Sequence, residues 1–154
     1  MRMMENNKRI ALFAGTFDPY TCGHHAIVQR ALSMFDEVVV AIGCNMGKQV
    51  MLSIEERMEA ITQLYAEEER VRVAVYDGLT TDFARTIGAS CLLRGVRSVK
   101  DFEYERDLAD INLRIAGIET VLLVSDPRYS AVSSSVVREL LSYGKDVTEF
   151  LPKK

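Results

Sequence analysis

Four short stretches of this 154-residue chain concentrate groups suited to holding phosphates. The first is Gly15-Thr16-Phe17-Asp18-Pro19-Tyr20-Thr21-Cys22-Gly23-His24. Gly15 permits a backbone shape closed to other residues, or the close approach of a phosphate. Thr16 carries a hydroxyl that donates or accepts. Gly23 and His24 fall at the start of a helical pattern, where free N–H groups and the helix dipole favour an anion. A histidine there can donate a hydrogen bond to a phosphate oxygen. The turn is no P-loop, because G-x-x-x-x-G-K-[S/T] is absent. A glycine-bearing turn between strand and helix also has a purely structural reading. The weight therefore falls on the combination of G-T-F-D-P with T-x-G-H.

The second stretch, residues 43–51, contains Lys48, which is either a solvated loop lysine or a phosphate ligand at a strand end. The third runs from Arg94 to Glu105 (RGVRSVKDFEYE). Its two arginines, Arg94 and Arg97, carry permanently charged forks that match phosphate oxygens. A purely structural role for a buried arginine needs a carboxylate partner, which Asp101, Glu103 or Glu105 can supply. The fourth is Ser133-Ser134-Ser135. One serine suffices to cap a helix. Three beside free N–H groups make a second phosphate cradle at a helix start.

These stretches need elements to carry them. Apolar, β-branched runs at 9–14, 37–42, 71–76, 91–93 and 119–124 read as five strands. Helical patterns occupy 23–35, 53–65, 80–87, 99–116 and 133–143, with one further turn at 147–151. Ser53 and Glu56 have the spacing of a capping box. Gly88, Gly117 and Gly144 follow three of the helices, Gly117 as a suitable left-handed cap. Apolar strands alternating with helices imply a parallel sheet covered on both faces. In such sheets ligands bind beyond the carboxyl ends of the strands, near a change in strand order. All four stretches follow strands.

Composition narrows the classes. The chain fits one domain, 1–154, with residues 1–8 expected to be a flexible N-terminus. A net charge of −3 argues against broad binding to nucleic acid or to an anionic membrane. No apolar run reaches the ~18 residues of a membrane span, and the polar start is no secretory leader. The three cysteines, Cys22, Cys44 and Cys91, show no metal or redox spacing. Reduced thiols in the cytoplasm are the expectation.

Taken together, AGTFDP, TCGH, LRGVRSVKDFEYE and VSSSVVREL resemble the bacterial phosphopantetheine adenylyltransferase family, within the nucleotidylyltransferase superfamily. The resemblance extends over 9–152. It implies a Rossmann-like, doubly wound α/β fold with a five-stranded parallel sheet and helices on both faces. It also implies adenylyl transfer from ATP to 4′-phosphopantetheine, giving dephospho-coenzyme A and pyrophosphate in coenzyme A biosynthesis. The implied mechanism is direct in-line attack with stabilisation of transition-state charge. By position, Thr16, His24, Lys48 and Arg94 would be catalytic. ATP would meet Thr16, Phe17, His24, Gly95, Val96, Arg97, Glu105, Tyr129, Ser130, Ala131, Val132, Ser133, Ser134 and Ser135. Phosphopantetheine would meet Thr16, Lys48, Thr80 and Arg94. The family further implies Mg²⁺ held mainly through the ATP phosphates with no protein metal site, a homohexamer, and feedback inhibition by coenzyme A. Departures from the family pattern are Cys22 for asparagine, Asn45-Met46-Gly47 and Gln49 in the lysine loop, and Tyr129 for tryptophan. Competing readings are a superfamily enzyme with another acceptor, such as nicotinamide mononucleotide, and a non-catalytic nucleotide or coenzyme A sensor.

Overall fold

The structure, a computed structural model, describes residues 7–45 and 47–154. The expected flexible N-terminus falls mostly on 1–6, outside the described residues, as does Met46. Five strands and five helices alternate: β1 (Ile10–Gly15), α1 (Cys22–Ala31), β2 (Glu37–Gly43), α2 (Ile54–Leu64), β3 (Val71–Tyr76), α3 (Thr80–Thr86), β4 (Cys91–Val96), α4 (Val99–Ala116), β5 (Glu119–Val124) and α5 (Ser134–Ser142). Single 3₁₀ turns at Pro127–Tyr129 and Thr148–Phe150 complete the order. The first of these was not expected from the sequence; the second falls inside the turn expected at 147–151.

The strands form one parallel sheet in the order β3-β2-β1-β4-β5. Between Ala11 and Ala14, and between Val38 and Ile42, every residue is buried, as expected for central strands covered on both faces. Alternate residues serve two cores. On one face Ala11, Phe13, Val38, Val40 and Ile42 meet Ile27, Val28 and Ala31 of α1 and Ile61 of α2. On the other, Leu12, Ala14, Val39 and Ala41 meet Ala84 of α3. The chain leaves β1 toward β2 but later returns to β1's other side as β4. That reversal opens a crevice at the carboxyl ends of β1 and β4, the place where ligands of such sheets bind.

Local chemistry sets the ends of the elements. The Ser53–Glu56 capping box is formed in both directions, at 2.8 and 3.1 Å. Gly117 ends α4 at φ 67°, a left-handed conformation that glycine adopts without strain. The helix expected at 23–35 begins one residue earlier and stops at Ala31. Residues 32–35 are a turn whose backbone bonds reach back three or four residues, to Val28, Arg30 and Ala31. Leu32 and Phe35 still pack against the core there, which is why the apolar pattern read as helix. No helix among the described residues is long and apolar enough to cross a membrane.

Candidate active site

The turn after β1 is built around two backbone events. Phe17 has φ 52°, uncommon for a residue with a side chain and often a mark of a functional turn. Its ring then lies over Gly15, so close that a Cβ on residue 15 would sit 3.0 Å from the ring. Gly15 therefore serves by leaving room for Phe17, not by adopting an unusual backbone shape, since its φ is ordinary. The Asp18 carboxylate, 2% exposed, accepts the backbone N–H groups of Met51 and Leu52, each at 2.8 Å. This ties the turn to the loop that carries Lys48. Arg57 of α2, buried, donates to the Thr16 carbonyl at 2.8 Å.

Thr21 caps α1 in a capping box whose reaching-back partner is His24 rather than a glutamate. The Thr21 backbone N–H donates to His24 Nδ1 at 2.9 Å. A backbone N–H can only donate, so Nδ1 must accept. A neutral His24 consequently carries its proton on Nε2, the nitrogen left free of this cap. Burial, with Arg94 and Arg97 nearby, lowers its pKa from 6.5 to about 4. His24 is thus a neutral donor at physiological pH.

Two cavities open at the strand ends. The larger, about 530 Å³, lies between the β1, β2 and β4 ends and α4, and includes Tyr76, Thr80, Glu105, Leu108 and Asn112 in its wall. The smaller, about 320 Å³, lies between the β1 turn and the start of α5. Ala14, Gly15, Thr16 and Arg94 line both, so these residues form the neck between them. Lys48, on the smaller cavity, donates from Nζ to Thr16 Oγ1 at 3.0 Å. Arg94 is held by Glu105 through two parallel bonds of 2.8 and 2.7 Å, and also donates to the Ala14 carbonyl at 2.8 Å. The carboxylate partner of the half-buried Arg94 is therefore Glu105. Two of the five guanidinium N–H groups remain for a ligand.

Most residues expected around ATP line the smaller cavity: Thr16, Phe17, His24, Gly95, Arg97, Tyr129, Val132 and Ser133 to Ser135. Glu105 and Thr80 line the larger one, where Thr80 Oγ1 meets the Tyr76 hydroxyl at 2.8 Å. Val96 is buried in β4, and Ser130 and Ala131 are exposed; none of the three lines either cavity. The three serines divide their tasks. Ser133 caps α5, Ser134 donates to the Pro19 carbonyl at 2.8 Å, and Ser135 accepts from Arg138 at 3.2 Å. Arg138, absent from the sequence-based set, lines the smaller cavity and also holds the Asp18 carbonyl at 2.8 Å. Its spacing of four from Ser134 places both on one face of α5, a signal that was available. Arg57 offered none, because nothing in IEER distinguishes a buried arginine from a solvated one.

Among the described residues, no three His, Cys, Asp or Glu side chains converge as a metal site. The carboxylates at the crevice, Asp18 and Glu105, are already engaged by backbone N–H groups and by Arg94.

Comparison with known proteins gives a consistent picture. A family profile described as cytidylyltransferase-like matches residues 12–140. The phosphopantetheine adenylyltransferase of Bacteroides fragilis is 53% identical over 145 residues, covering 94% of this chain and 97% of the relative. That of Porphyromonas gingivalis is 54% identical, covering 95% of each chain. That of Leuconostoc citreum is 46% identical, covering 94% and 92%. Among solved structures, the bifunctional NMN adenylyltransferase/ADP ribose pyrophosphatase of Francisella tularensis superposes with a TM-score of 0.69 at 13% identity, covering 94% of this chain and 44% of that one. A putative nicotinate-nucleotide adenylyltransferase of Vibrio parahaemolyticus does so at 0.60 and 18%, covering 95% and 94%. At such identities these two speak for the fold alone.

Proposed function

The chain belongs to the phosphopantetheine adenylyltransferases of the cytidylyltransferase-like family, and from that premise we propose how its crevice transfers an adenylyl group from ATP to 4′-phosphopantetheine. The products are dephospho-coenzyme A and pyrophosphate. The observation that carries the mechanism is the neck: Thr16 and Arg94 belong to two cavities at once. ATP takes the smaller cavity, with its triphosphate against His24, Arg97 and the α5 N-terminus. Phosphopantetheine takes the larger one, its arm along α4 and its phosphate at the neck, within reach of Thr16, Lys48 and Arg94.

The phosphate oxygen of phosphopantetheine attacks the α-phosphorus in line. A P–O bond forms there, the bond to the bridging oxygen breaks, and pyrophosphate leaves with the electron pair. A phosphate monoester has a second pKa of about 6, so the nucleophile is already ionised and needs no base. The chain's work is positioning and charge stabilisation. Lys48 and Thr16 orient the nucleophile, while His24 Nε2 and the helix start oppose charge on the α-phosphate and the leaving group. Mg²⁺, carried by the nucleotide, would screen the triphosphate.

The same reading takes coenzyme A as an inhibitor, since its two halves match the two cavities. It takes a homohexamer as the working form, supported by apolar side chains that α4 leaves exposed, Tyr104, Ile111 and Ile115 along one side and Val99 and Phe102 on the other. It takes the cytoplasm as the compartment, supported by three cysteines that form no disulfide. The test is a pyrophosphate-release assay with ATP, Mg²⁺ and 4′-phosphopantetheine, with product mass measured and nicotinamide mononucleotide as a second acceptor. Dephospho-coenzyme A is expected; its absence would overturn the assignment.

A further inference from the structure

The Thr21 N–H holds one corner of the His24 imidazole, which leaves the ring free to swing about that bond. A second surface is needed to fix its plane. Tyr20 supplies one: the two rings are nearly parallel, with centroids 5.2 Å apart and planes 26° from parallel. The Phe17 ring meets the imidazole edge-on at 5.1 Å. Tyr20 is 5% exposed, so its hydroxyl lies where an unpaired donor is costly. Tyr65, the residue that ends α2 and equally buried, meets it with a 2.7 Å hydroxyl–hydroxyl bond. The Tyr65 hydroxyl also reaches His25 Nδ1 at 2.9 Å, and His25 Nε2 lies 3.3 Å from the Gln29 amide nitrogen.

Four side chains from the turn, α1 and the end of α2 thus form one hydrogen-bonded line. It starts beneath the His24 ring and ends on the solvent face of α1. Burial raises both phenols, so neither ionises near neutral pH. The line therefore holds geometry rather than charge.

We propose that Tyr65, backed by His25, is a positioning residue for the adenylyl transfer: by anchoring the Tyr20 hydroxyl it fixes the plane on which His24 rests, and so the direction in which Nε2 donates. The inference rests on His24 being the donor to the transferring phosphate. It uses none of the groups that line the two substrate cavities except His24 itself.

Tyr65→Phe tests it, because the ring and its packing stay while the hydroxyl goes. Turnover is expected to fall about tenfold, the scale of a small misalignment, with KM for ATP unchanged within about twofold. In a His24→Ala background the same change is expected to cost less than about twofold, because there is no imidazole left to orient. The ring-proton resonances of His24, shifted by the stacked Tyr20 ring, should move toward unstacked values in Tyr65→Phe. An equal loss in both backgrounds would mark a general structural effect and overturn the proposal. So would unchanged turnover in Tyr65→Phe where His24→Ala is crippled. Near-normal turnover in His24→Ala itself would instead overturn the role of His24, and the proposal with it. If Tyr65→Phe does not fold, Tyr20→Phe breaks the same bond from the other end, leaves Tyr65 bonded to His25, and carries the same expectation.

Discussion

Replacing His24 by alanine and by glutamine separates its two tasks. The first task is donation. With Nδ1 taken by the Thr21 N–H, Nε2–H is what the ring offers to a phosphate. Loss of one preorganised donor of this kind costs about 10²–10³ in turnover. The second task is capping, because the ring closes the capping box of α1. That is worth about 1 kcal/mol of stability. Alanine removes both, so turnover and melting temperature should fall together. Glutamine at the third helical position is a standard capping-box residue. It should recover stability through its amide oxygen without restoring a donor where Nε2 stood. The assay is pyrophosphate release at saturating ATP and phosphopantetheine, with thermal melts alongside. A glutamine variant within about tenfold of the parent would refute the argument. A stability limb follows from the same residue. Its pKa is about 4 folded and 6.5 unfolded, so the unfolded chain binds more protons between those values. The contribution is complete above pH 6.5 and is lost as pH falls toward 4, amounting to about 3 kcal/mol. His24→Ala should flatten that acid limb in melts run from pH 7 to pH 4.

Other perturbations reach other parts of the crevice. Lys48→Ala should raise KM for phosphopantetheine about tenfold while KM for ATP moves less than about twofold, the pattern of a lost binding contact on one substrate; equal shifts in steady-state kinetics would place Lys48 elsewhere. Glu105→Gln leaves the Arg94 guanidinium without its counter-charge, and because Arg94 keeps some exposure the cost should be nearer 2 kcal/mol than the larger values of fully buried pairs, read by chemical denaturation. His25→Ala, at the outer end of the tyrosine line, should lower turnover no more than about threefold, far less than His24→Ala. Paired Tyr104→Glu and Ile111→Glu changes, seven residues apart and so on one side of α4, should convert the proposed hexamer to smaller species in light scattering while circular dichroism stays unchanged.

What the sequence disclosed follows from what each feature depends on. The strands at 71–76 and 119–124 and the helix at 99–116 match residue for residue, because periodicity and a glycine stop are local. Strand order is not local, and nothing in the chain announces that β4 returns beside β1. The residues of the turn and of α5 that line the smaller cavity were legible because helix starts and glycine-bearing turns advertise themselves. Arg57 and Asp18 were not assigned roles, because each works by holding backbone groups of a distant segment, whereas Arg138 was missed although its spacing from Ser134 placed it on the same face of α5. His25 was illegible for a related reason. Its partner Tyr65 lies forty residues away, and only the packing of α2 against α1 brings them together.

The lining of the neck also suits the proposed transfer, which asks no base of the protein. Two carboxylates lie at the crevice among the described residues that line it, and both face inward on the chain's own donors. Asp18 accepts two backbone N–H groups, and Glu105 accepts two guanidinium N–H groups. Of the charged and imidazole groups that line the two cavities, those left free are donors: His24 Nε2, the Lys48 ammonium, and spare Arg94 and Arg97 N–H groups, beside the start of α5. Such groups do not remove a proton well, but they hold anions and oppose the charge that builds on them. That suits a nucleophile that arrives already ionised and a leaving group that departs as an anion. An acceptor bearing a hydroxyl in place of a phosphate would need a base that this arrangement does not offer. Pantetheine lacking its phosphate should therefore fail as an acceptor even at concentrations that fill the larger cavity. Turnover of that compound within about a hundredfold of phosphopantetheine, the lower range of what general base catalysis contributes, would show that some group here serves as a base after all.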